Sequence, residues 1–215
     1  MKIVVIEDQA MFRRMVVQLC RAHFDCERLE EATNGADGLR LCMEVQPDIV
    51  LLDLDLPDTF GADVIDRIVA AVSRVRIIIL SSHTEDYALH RSLKAQVQGF
   101  VDKNNEPPEI VLEAIRTVMS GRTFFTAAAL KVKTLLRSDP TAFNKLLTDR
   151  EEQLLVLLAN GDTNEEIGTK LSLSHKTVNN HRRNIMAKLG LHTTPELMRY
   201  ALEKGFTRLR PVGRS

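Results

Sequence analysis

The first 120 residues alternate short apolar runs with stretches of helical periodicity, and this alternation constrains the fold more than any other feature. Apolar runs bounded by polar residues predict buried strands, and the amphipathic stretches between them predict helices. The predicted strands are Ile3–Ile6, the weaker Glu27–Glu31, Ile49–Leu54, Arg76–Leu80 and Gly99–Val101. The predicted helices are Phe12–His23, Ala36–Glu44, Ala62–Ala71, Asp86–Ala95 and Pro107–Ser120. Continuously hydrophobic strands joined through helices are typical of a parallel sheet covered on both faces. We therefore predict an α/β domain with a doubly wound, five-stranded parallel sheet of the flavodoxin-like type.

The second half of the chain contains helix-start signals and no strand-like run after residue 145. A threonine followed three residues later by a glutamate can form a capping box, in which each side chain bonds the backbone N–H of the other residue. The pairs are Thr148/Glu151, Thr163/Glu166 and Thr193/Glu196, and Ser174 marks a fourth helix start. Gly161 and Gly205 follow apolar stretches, where a left-handed residue ends a helix. These signals predict a compact all-α domain of four helices.

The domain boundaries follow from these two patterns. We predict an α/β domain over residues 1–120 and an all-α domain over residues 146–206, followed by a tail over residues 207–215. The pattern weakens over residues 121–145, which we predict to be a linker that includes a helix at Ala127–Arg137 before the break at Ser138-Asp139-Pro140.

A net charge of zero conceals a division between the two halves. Residues 1–120 contain 13 Lys and Arg against 20 Asp and Glu, whereas residues 121–215 contain 16 against 9. A basic half suits a polyanionic partner such as nucleic acid, although charge alone does not identify it.

Cysteine use and hydropathy indicate the compartment. The three cysteines, Cys20, Cys26 and Cys42, are odd in number and lack a C-x-x-C pairing, so we expect reduced thiols. No apolar run reaches the roughly 18 residues that a membrane-spanning helix needs, and the N-terminus becomes acidic too early for a signal peptide. We therefore expect a cytoplasmic protein with no membrane partner.

Charged and polar residues follow four of the predicted strands. Glu7 and Asp8 follow the first strand, Asp53 ends the third, Ser81 follows the fourth and Lys103 the fifth. In a doubly wound sheet, ligands bind at the carboxyl ends of the strands, so these groups should converge.

Two carboxylates 4 Å apart repel by about 4 kcal/mol at an effective dielectric of 20, so the three acids of this cluster need a cation. Oxygen ligands at a shallow rim favour Mg²⁺. Asp53 could then act as a nucleophile that forms an aspartyl phosphate, with Lys103 and Ser81 binding the phosphoryl oxygens.

Four sequence blocks in the first half resemble receiver domains. They are Ile3–Asp8, Ile49–Pro57 with Gly61, Ile79–Ser82 and Gly99–Lys103. The resemblance covers about residues 1–120 and implies that Asp53 is the phosphoacceptor. It makes Glu7 and Asp8 the metal-site acids, with Asp8 a direct ligand and the backbone carbonyl of Asp55 a further ligand.

The same resemblance implies that Ser81 and Phe100 form a switch pair. Ser81 would move toward the phosphoryl group, and Phe100 would turn inward to fill the vacated space. The chain departs mildly from the family, with Glu7 where Asp is also usual and Ser81 where Thr is also usual. Neither departure changes the expected chemistry.

A basic helix is predicted over Ser174–Leu189. At 100° per residue, Val178, Ile185 and Leu189 form an apolar stripe that should face the core. The opposite face comprises Lys176, Asn180, Arg183 and Ala187, flanked by Asn179. Arg and Asn match guanine and adenine edges in the major groove, and the residues better placed for phosphates are Lys176, His181, Arg182 and Lys188. The capped stretch Asn164–Leu171 and the short Ser172-Leu173 connection precede this helix, as in a helix-turn-helix.

This half resembles the LuxR-type DNA-binding domain over about residues 144–206. The matching blocks are Leu147–Glu152, Asn164–Gly168, Lys176–His181 and Ala187–Leu191. The resemblance implies that the helix carrying Lys176 to Arg183 enters the major groove and that the last helix, Glu196–Lys204, mediates dimerisation on an inverted repeat. The predicted DNA-binding residues are Lys176, Thr177, Asn179, Asn180, His181, Arg182, Arg183 and Lys188.

Joined in this order, the two halves resemble response regulators of two-component systems, in the NarL/FixJ-like group. This implies a phosphorylation-controlled transcription regulator and not an enzyme, although the receiver would promote its own phosphoryl transfer and dephosphorylation. The implied partners are DNA, a sensor histidine kinase, a second copy on activation and, as a further candidate, RNA polymerase. Phosphorylation would bias a receiver surface that includes Phe100 and the Asp86–Ala95 helix.

Two alternatives remain open at this point. Asp53-x-Asp55 is also the spacing of haloacid-dehalogenase-like phosphatases, which use the two acids as nucleophile and acid, although Pro57 departs from that motif. In the second alternative, a DNA-binding regulator uses its receiver only as a phosphorylation-independent dimerisation module.

Overall fold

The computed structural model describes residues 1–59, 61–82 and 85–207, with the side chain of Ala62 left aside. These residues form two compact units, the first built largely from residues 1–132 and the second largely from residues 133–207. The predicted tail lies outside the described residues from residue 208 onward. None of the helices in the described ranges combines the length and the hydropathy that a bilayer crossing needs.

The first unit is a parallel sheet with the strand order β2-β1-β3-β4-β5-β6. Its strands are β1 (Lys2–Ile6), β2 (Arg28–Ala32), β3 (Ile49–Asp53), β4 (Arg76–Ser81), β5 (Gly99–Asp102) and β6 (Phe124–Phe125). This confirms the α/β prediction but corrects the strand number from five to six. The sixth strand was missed because two residues carry no periodicity, and its pairing with β5 is a long-range contact.

Both faces of the sheet are covered by helices. The helices of this unit are α1 (Ala10–His23), α2 (Gly35–Val45), α3 (Gly61–Ala71), α4 (Asp86–Lys94) and α5 (Ile110–Met119). Alternate residues of each strand point to opposite faces, so Ile3 belongs to the core cluster that includes residues of α1 and α5, while Val4 belongs to the cluster that includes residues of α2, α3 and α4. Because both faces of the sheet are apolar, each strand is hydrophobic along its length. The prediction of a parallel sheet rests on this pattern.

The segment predicted as a linker contains β6 and α6 (Ala127–Ser138). Ala129 of α6 is fully buried in the core of the first unit, and Phe125 packs against the same core. The predicted helix at Ala127–Arg137 is therefore present, and its first turns complete the sheet domain.

The second unit is all-α. Its helices are α7 (Phe143–Leu146), α8 (Asp149–Ala159), α9 (Asn164–Leu171), α10 (His175–Leu189) and α11 (Thr194–Glu203). All three predicted capping boxes are formed, and the Ser174 side chain caps α10. Gly161 and Gly205 have φ values of 88° and 77°, which confirms their helix-ending role. The short α7 was not predicted, so the unit has one helix more than the expected four.

The cysteines agree with the expectation of reduced thiols. Cys20 and Cys42 are buried and Cys26 is partly buried, and all three are free. Burial raises the pKa of both Cys20 and Cys42 to about 12, so these thiols are unreactive near neutral pH.

Candidate acidic site and candidate nucleic-acid interface

Three carboxylates meet at the carboxyl edge of the sheet. Ile6 of β1 pairs with Leu52 of β3, so Glu7 and Asp53 lie side by side at the strand ends. Glu7, Asp8 and Asp53 each offer a carboxylate oxygen within 4.8 Å of the others. Glu7 and Asp53 are 1% exposed, whereas Asp8 is open to solvent. The parallel register thus produces the cluster that the sequence predicted, with one face open to a ligand.

Lys103 provides the positive charge in this cluster. Its ammonium nitrogen lies 2.5 Å from Glu7 Oε2 and 2.9 Å from Asp53 Oδ2. The side chain is 4% exposed, and the ammonium group lies 4.6 Å from the centre of the Phe12 ring. The Lys103 N–H donates to the carbonyl of Ser81 at 2.9 Å, which ties the end of β5 to β4. A single ammonium group therefore contacts two of the three carboxylates.

The two oxygens of Asp53 differ in their partners. Oδ1 accepts a hydrogen bond from the Asp55 N–H at 3.0 Å. Oδ2 is buried and lies 2.9 Å from the Lys103 ammonium, but without the geometry of a hydrogen bond. Oδ2 is therefore attracted electrostatically to Lys103, but it accepts no hydrogen bond from the described residues. An oxygen in this state is suited to bind a cation or to attack an electrophile.

The electrostatics of the cluster favour an added cation. Burial and, to a smaller extent, the neighbouring Asp53 carboxylate raise the pKa of Glu7 from its ordinary 4.5 to about 7, although Lys103 acts to lower it. Three carboxyl groups thus share one ammonium group, and an added cation would offset the remaining negative charge. Three oxygen donors at a partly open rim fit a hard divalent ion that keeps some of its water. The acidic cluster could hold such a metal.

Ser81 and Phe100 lie where the parallel register puts them. Asp53 pairs with Leu80, so Ser81 follows at the same edge, and Ser81 in turn pairs with Asp102, next to Lys103. Ser81 and Phe100 are both fully buried. The proposed switching of this pair stays a prediction.

The loop after β3 is held by contacts that the sequence did not suggest. Its Asp58 carboxylate accepts from the N–H groups of Gly35 and Ala36, at 2.8 and 2.9 Å, at the start of α2. The Gly35 N–H in particular lowers the pKa of Asp58. The Gly61 N–H donates to the carbonyl of Leu54 at 2.9 Å and closes the loop. An acid beyond Pro57 in a short loop is an ordinary surface residue in sequence terms, so no local signal marked it.

The second candidate site is the outer face of α10. Val178 and Ile185 are fully buried, and Lys176, Asn180 and Arg183 are exposed on the opposite side. Thr177, Asn179 and His181 are partly buried at the edges of this face. The helical periodicity of the sequence thus placed the exposed residues of α10 correctly.

Two of the residues predicted to contact DNA phosphates form hydrogen bonds within the second unit. Lys188 donates to Glu151 Oε2 at 2.7 Å, and Arg182 donates to the hydroxyl of Thr194. These hydrogen bonds connect α10 to α8 and to α11. Contacts of Lys188 and Arg182 with DNA phosphates stay a prediction, and they would require these internal partners to be shared or exchanged.

Comparison with known proteins gives a family match for each of the two units. Residues 3–115 match the family model described as response regulator receiver domain, and residues 145–201 match that of bacterial regulatory proteins of the luxR family. Oxygen regulatory protein NreC of Staphylococcus aureus strain NCTC 8325 is 34% identical, with 95% of this chain and 98% of that protein covered.

Solved structures share the fold at lower identity. RcsB from Salmonella enterica serovar Typhimurium, bound to promoter P1flhDC in the presence of a phosphomimetic, has a TM-score of 0.66 at 20% identity, with 93% of this chain and 97% of that chain covered. A LuxR-family response regulator from Aurantimonas sp. SI85-9A1 has a TM-score of 0.59 at 24% identity, with 64% of this chain and 98% of that chain covered.

These matches exclude the first of the two alternatives, the phosphatase. A receiver followed by a luxR-type domain, matched along nearly the whole chain, is not a haloacid-dehalogenase-like phosphatase. The chain belongs to the response regulators that join a receiver domain to a LuxR-type DNA-binding domain.

Proposed function

We propose that phosphorylation of Asp53 controls the binding of this regulator to DNA. The observation that supports the proposal is the buried Asp53 Oδ2, which lies 2.9 Å from the Lys103 ammonium without a hydrogen bond and shares a 4.8 Å cluster with Glu7 and Asp8. A nucleophilic oxygen, a cation-binding set of acids and a buried ammonium group are the parts that phosphoryl transfer to a carboxylate needs.

In the proposed reaction, an Asp53 oxygen attacks the phosphorus of a phosphohistidine on a sensor kinase. The O–P bond forms as the P–N bond breaks, and the departing imidazole takes a proton. Lys103 and Ser81 bind phosphoryl oxygens and stabilise the charge that develops on them. In this way the receiver promotes its own phosphorylation and, with water as the nucleophile, its dephosphorylation.

Mg²⁺ is the proposed cofactor. The side chains of Glu7, Asp8 and Asp53 and the backbone carbonyl of Asp55 would hold it. When bound, the ion offsets negative charge on the carboxylates and the incoming phosphoryl group.

The phosphoryl group would then act through Ser81 and Phe100. Ser81 would move to the phosphoryl group, and Phe100 would shift with it, which biases a receiver surface toward dimerisation. The Asp86–Lys94 helix belongs to that proposed surface.

The second unit is the proposed DNA reader. The face of α10 with Asn180 and Arg183 would read base edges in the major groove, and the flanking polar and basic residues would contact phosphates. One such module buries only about 600–1,000 Å² of protein surface on DNA, so two copies on an inverted repeat are proposed, paired through the last helix. The structural neighbour RcsB is bound to a promoter, which supports DNA as the proposed partner. RNA polymerase is a further proposed partner, and the cytoplasm is the proposed location.

The proposed assignment of regions keeps the receiver in residues 1–120 and the DNA-binding domain in residues 146–206. The β6 strand and α6 lie between them and belong to the region of residues 121–145.

Substitution of Asp53 tests the proposal. Asp53→Asn should abolish the covalent label from radiolabelled acetyl phosphate in the presence of Mg²⁺, because the amide is not a nucleophile. The matched control is Asp66→Asn, an exposed acid on α3 that should label like the wild type. A label that persists in Asp53→Asn would remove Asp53 from its proposed role.

The same protein can test the control of DNA binding. Fragments selected from random DNA should bind more tightly when beryllofluoride occupies the receiver of the wild type, and Asp53→Asn should show no such gain. Equal binding with and without beryllofluoride would favour the alternative in which the receiver dimerises independently of phosphorylation.

A further inference from the structure

We infer that Arg13 is a positioning residue that sets the loop carrying Glu7 and Asp8 for the cation, an inference that rests on the proposed function. Arg13 lies in the first turn of α1. Its Nη1 donates to the carbonyl of Glu7 at 2.7 Å and to the carbonyl of Asp8 at 3.2 Å. One guanidinium group thus holds the backbone of two consecutive acids of the cluster.

The start of α1 explains why this contact is needed. The N-cap residue Gln9 makes no side-chain cap hydrogen bond, and the first turn contains no acidic residue. By contrast, side chains cap α2 and α8 through α11. Without such a cap, the loop between β1 and α1 is held by Arg13, by the Glu7 N–H that donates to the carbonyl of Ala32 at 3.0 Å and by the Gln9 N–H that donates to Glu7 Oε1 at 3.1 Å.

The direction of the contact preserves the site. Arg13 donates to backbone carbonyls and not to the carboxylates of Glu7 and Asp8, so these stay available to a cation. Backbone groups behind the ligands are thereby bonded, which is how outer contacts orient the ligands of a metal site. The positive charge behind the loop also reduces repulsion among the three acids.

Glu31 holds Arg13 in this orientation. Arg13 Nε lies 3.3 Å from Glu31 Oε2, and the Arg13 side chain is only 14% exposed. Glu31 lies on β2 and pairs with Val5 of β1, two residues before Glu7. The carboxylate that fixes the guanidinium is thus set by the same sheet register that places the acids.

The test measures metal binding apart from phosphorylation. Full-length protein is titrated with Mg²⁺, and binding is followed by calorimetry and by the rise in Tm with Mg²⁺ concentration. Arg13→Gln should raise the Kd for Mg²⁺ about 10- to 100-fold, the usual effect of losing an outer contact of a metal site. Glu31→Gln should raise it in the same direction by a smaller factor.

Arg28→Gln is the matched control. Arg28 is the first residue of β2, and its guanidinium group also pairs with carboxylates, 2.9 Å from Glu30 and 2.6 Å from Glu44. Arg28 does not contact the acidic loop. Its removal should leave the Kd for Mg²⁺ unchanged. A purely structural role of Arg13 would lower the Tm of the metal-free protein and leave the Kd unaltered.

The outcomes separate the two proposals. If the wild type shows no Mg²⁺-dependent rise in Tm, the proposed function fails. If the wild type binds Mg²⁺ and Arg13→Gln binds it with the same Kd, the inference about Arg13 is overturned. Should Arg13→Gln not fold, the Kd of Glu31→Gln decides, since an unchanged value there overturns the inference as well.

Discussion

Gly61 shows how one missing side chain supports the acidic site. A Cβ at this position would lie 2.3 Å from the carbonyl oxygen of Asp53 and 2.8 Å from the Cα of Leu54. These are backbone atoms, which cannot move aside like the end of a flexible side chain. The loop after β3 can therefore return against the strand end only because residue 61 is glycine.

At the residue scale, Gly61→Ala should impair both stability and phosphorylation. The added methyl group must push the end of β3 away, so we expect the free energy of unfolding to fall by about 1–3 kcal/mol. The rate of labelling of Asp53 by acetyl phosphate should fall too, because the backbone of Asp53 shifts. Urea unfolding and the labelling rate are the measurements.

Gly121→Ala is the control for this substitution. A Cβ at Gly121 meets nothing within 4 Å, but its φ of 84° favours glycine. We expect a cost of about 1–2 kcal/mol from the left-handed backbone, with an unchanged labelling rate. Labelling of Gly61→Ala at the wild-type rate would contradict the proposed role of the close approach.

At the element scale, Glu151 joins the start of α8 to α10. Its Oε2 accepts from the Thr148 N–H at 2.8 Å, from the Thr148 hydroxyl at 3.0 Å and from Lys188 at 2.7 Å. Burial acts to raise the pKa of Glu151, but the hydrogen bonds from Lys188 and Thr148 outweigh it and hold the pKa below the ordinary 4.5. One carboxylate thus caps a helix and pairs with a neighbouring one.

This arrangement predicts a pH dependence of the stability of the helical unit. A carboxylate whose pKa is lowered by folding contributes stability above its unfolded pKa of about 4.5, and the contribution is lost as the pH falls through the folded pKa. Glu151→Gln should therefore destabilise the unit at pH 7 by about 1–2 kcal/mol, the order of a lost cap. The difference from the wild type should shrink in acid.

Hydrogen exchange of α8 and α10 peptides in urea, at neutral and acidic pH, measures this effect. Glu203→Gln, an exposed residue of α11 whose carboxylate lies 4.0 Å from the Arg199 guanidinium, is the control and should change little at either pH. A difference between Glu151→Gln and the wild type that is equal at both pH values would contradict the assignment.

The outer face of α10 gives the second prediction at this scale. Arg183 is exposed opposite the buried Val178 and Ile185. Arg183→Ala should weaken specific DNA binding by about 1–3 kcal/mol and relax the preference at one base position. Selection from random DNA with the variant and the wild type measures both quantities.

Arg137→Ala serves as the control for Arg183, because Arg137 is an exposed arginine of α6, outside α10 and outside the helix proposed to pair the two copies. It should leave base preference unchanged. An equal loss of affinity by Arg183→Ala on all sequences would instead identify Arg183 as a phosphate contact.

At the scale of the whole molecule, the two parts of the chain differ in the sign of their net charge, and each sign fits the ligand proposed for that part. The acidic residues 1–120 contain the carboxylate cluster that could hold a cation, and the basic residues 121–215 contain the helix face proposed for DNA. A net charge of zero therefore describes neither part. Each unit has its own core and its own site, which agrees with separate family matches over residues 3–115 and 145–201.

Much of the fold and the site could be predicted because the signals are local or periodic. The capping box at Thr148 spans three residues, so its pattern is complete in the sequence. The buried strands are apolar along their length, and strand ends in a parallel sheet share one edge, so the proximity of Asp53 and Lys103 could be predicted from the sequence. By contrast, β6 consists of two residues and is defined only by its pairing with β5.

The sequence by itself determined the order of strands and helices, the helix caps and the convergence of acids and a lysine at one rim. Only the tertiary structure decided which groups remain available: it pairs Lys188 with Glu151, gives Asp53 Oδ2 no hydrogen bond from the described part of the chain and turns Arg13 onto the carbonyls of Glu7 and Asp8. The physical reason is the separation along the chain of the residues that interact. Periodicity and capping depend on neighbours in the chain, whereas contacts of long side chains with distant groups or with backbone depend on where the folded chain returns.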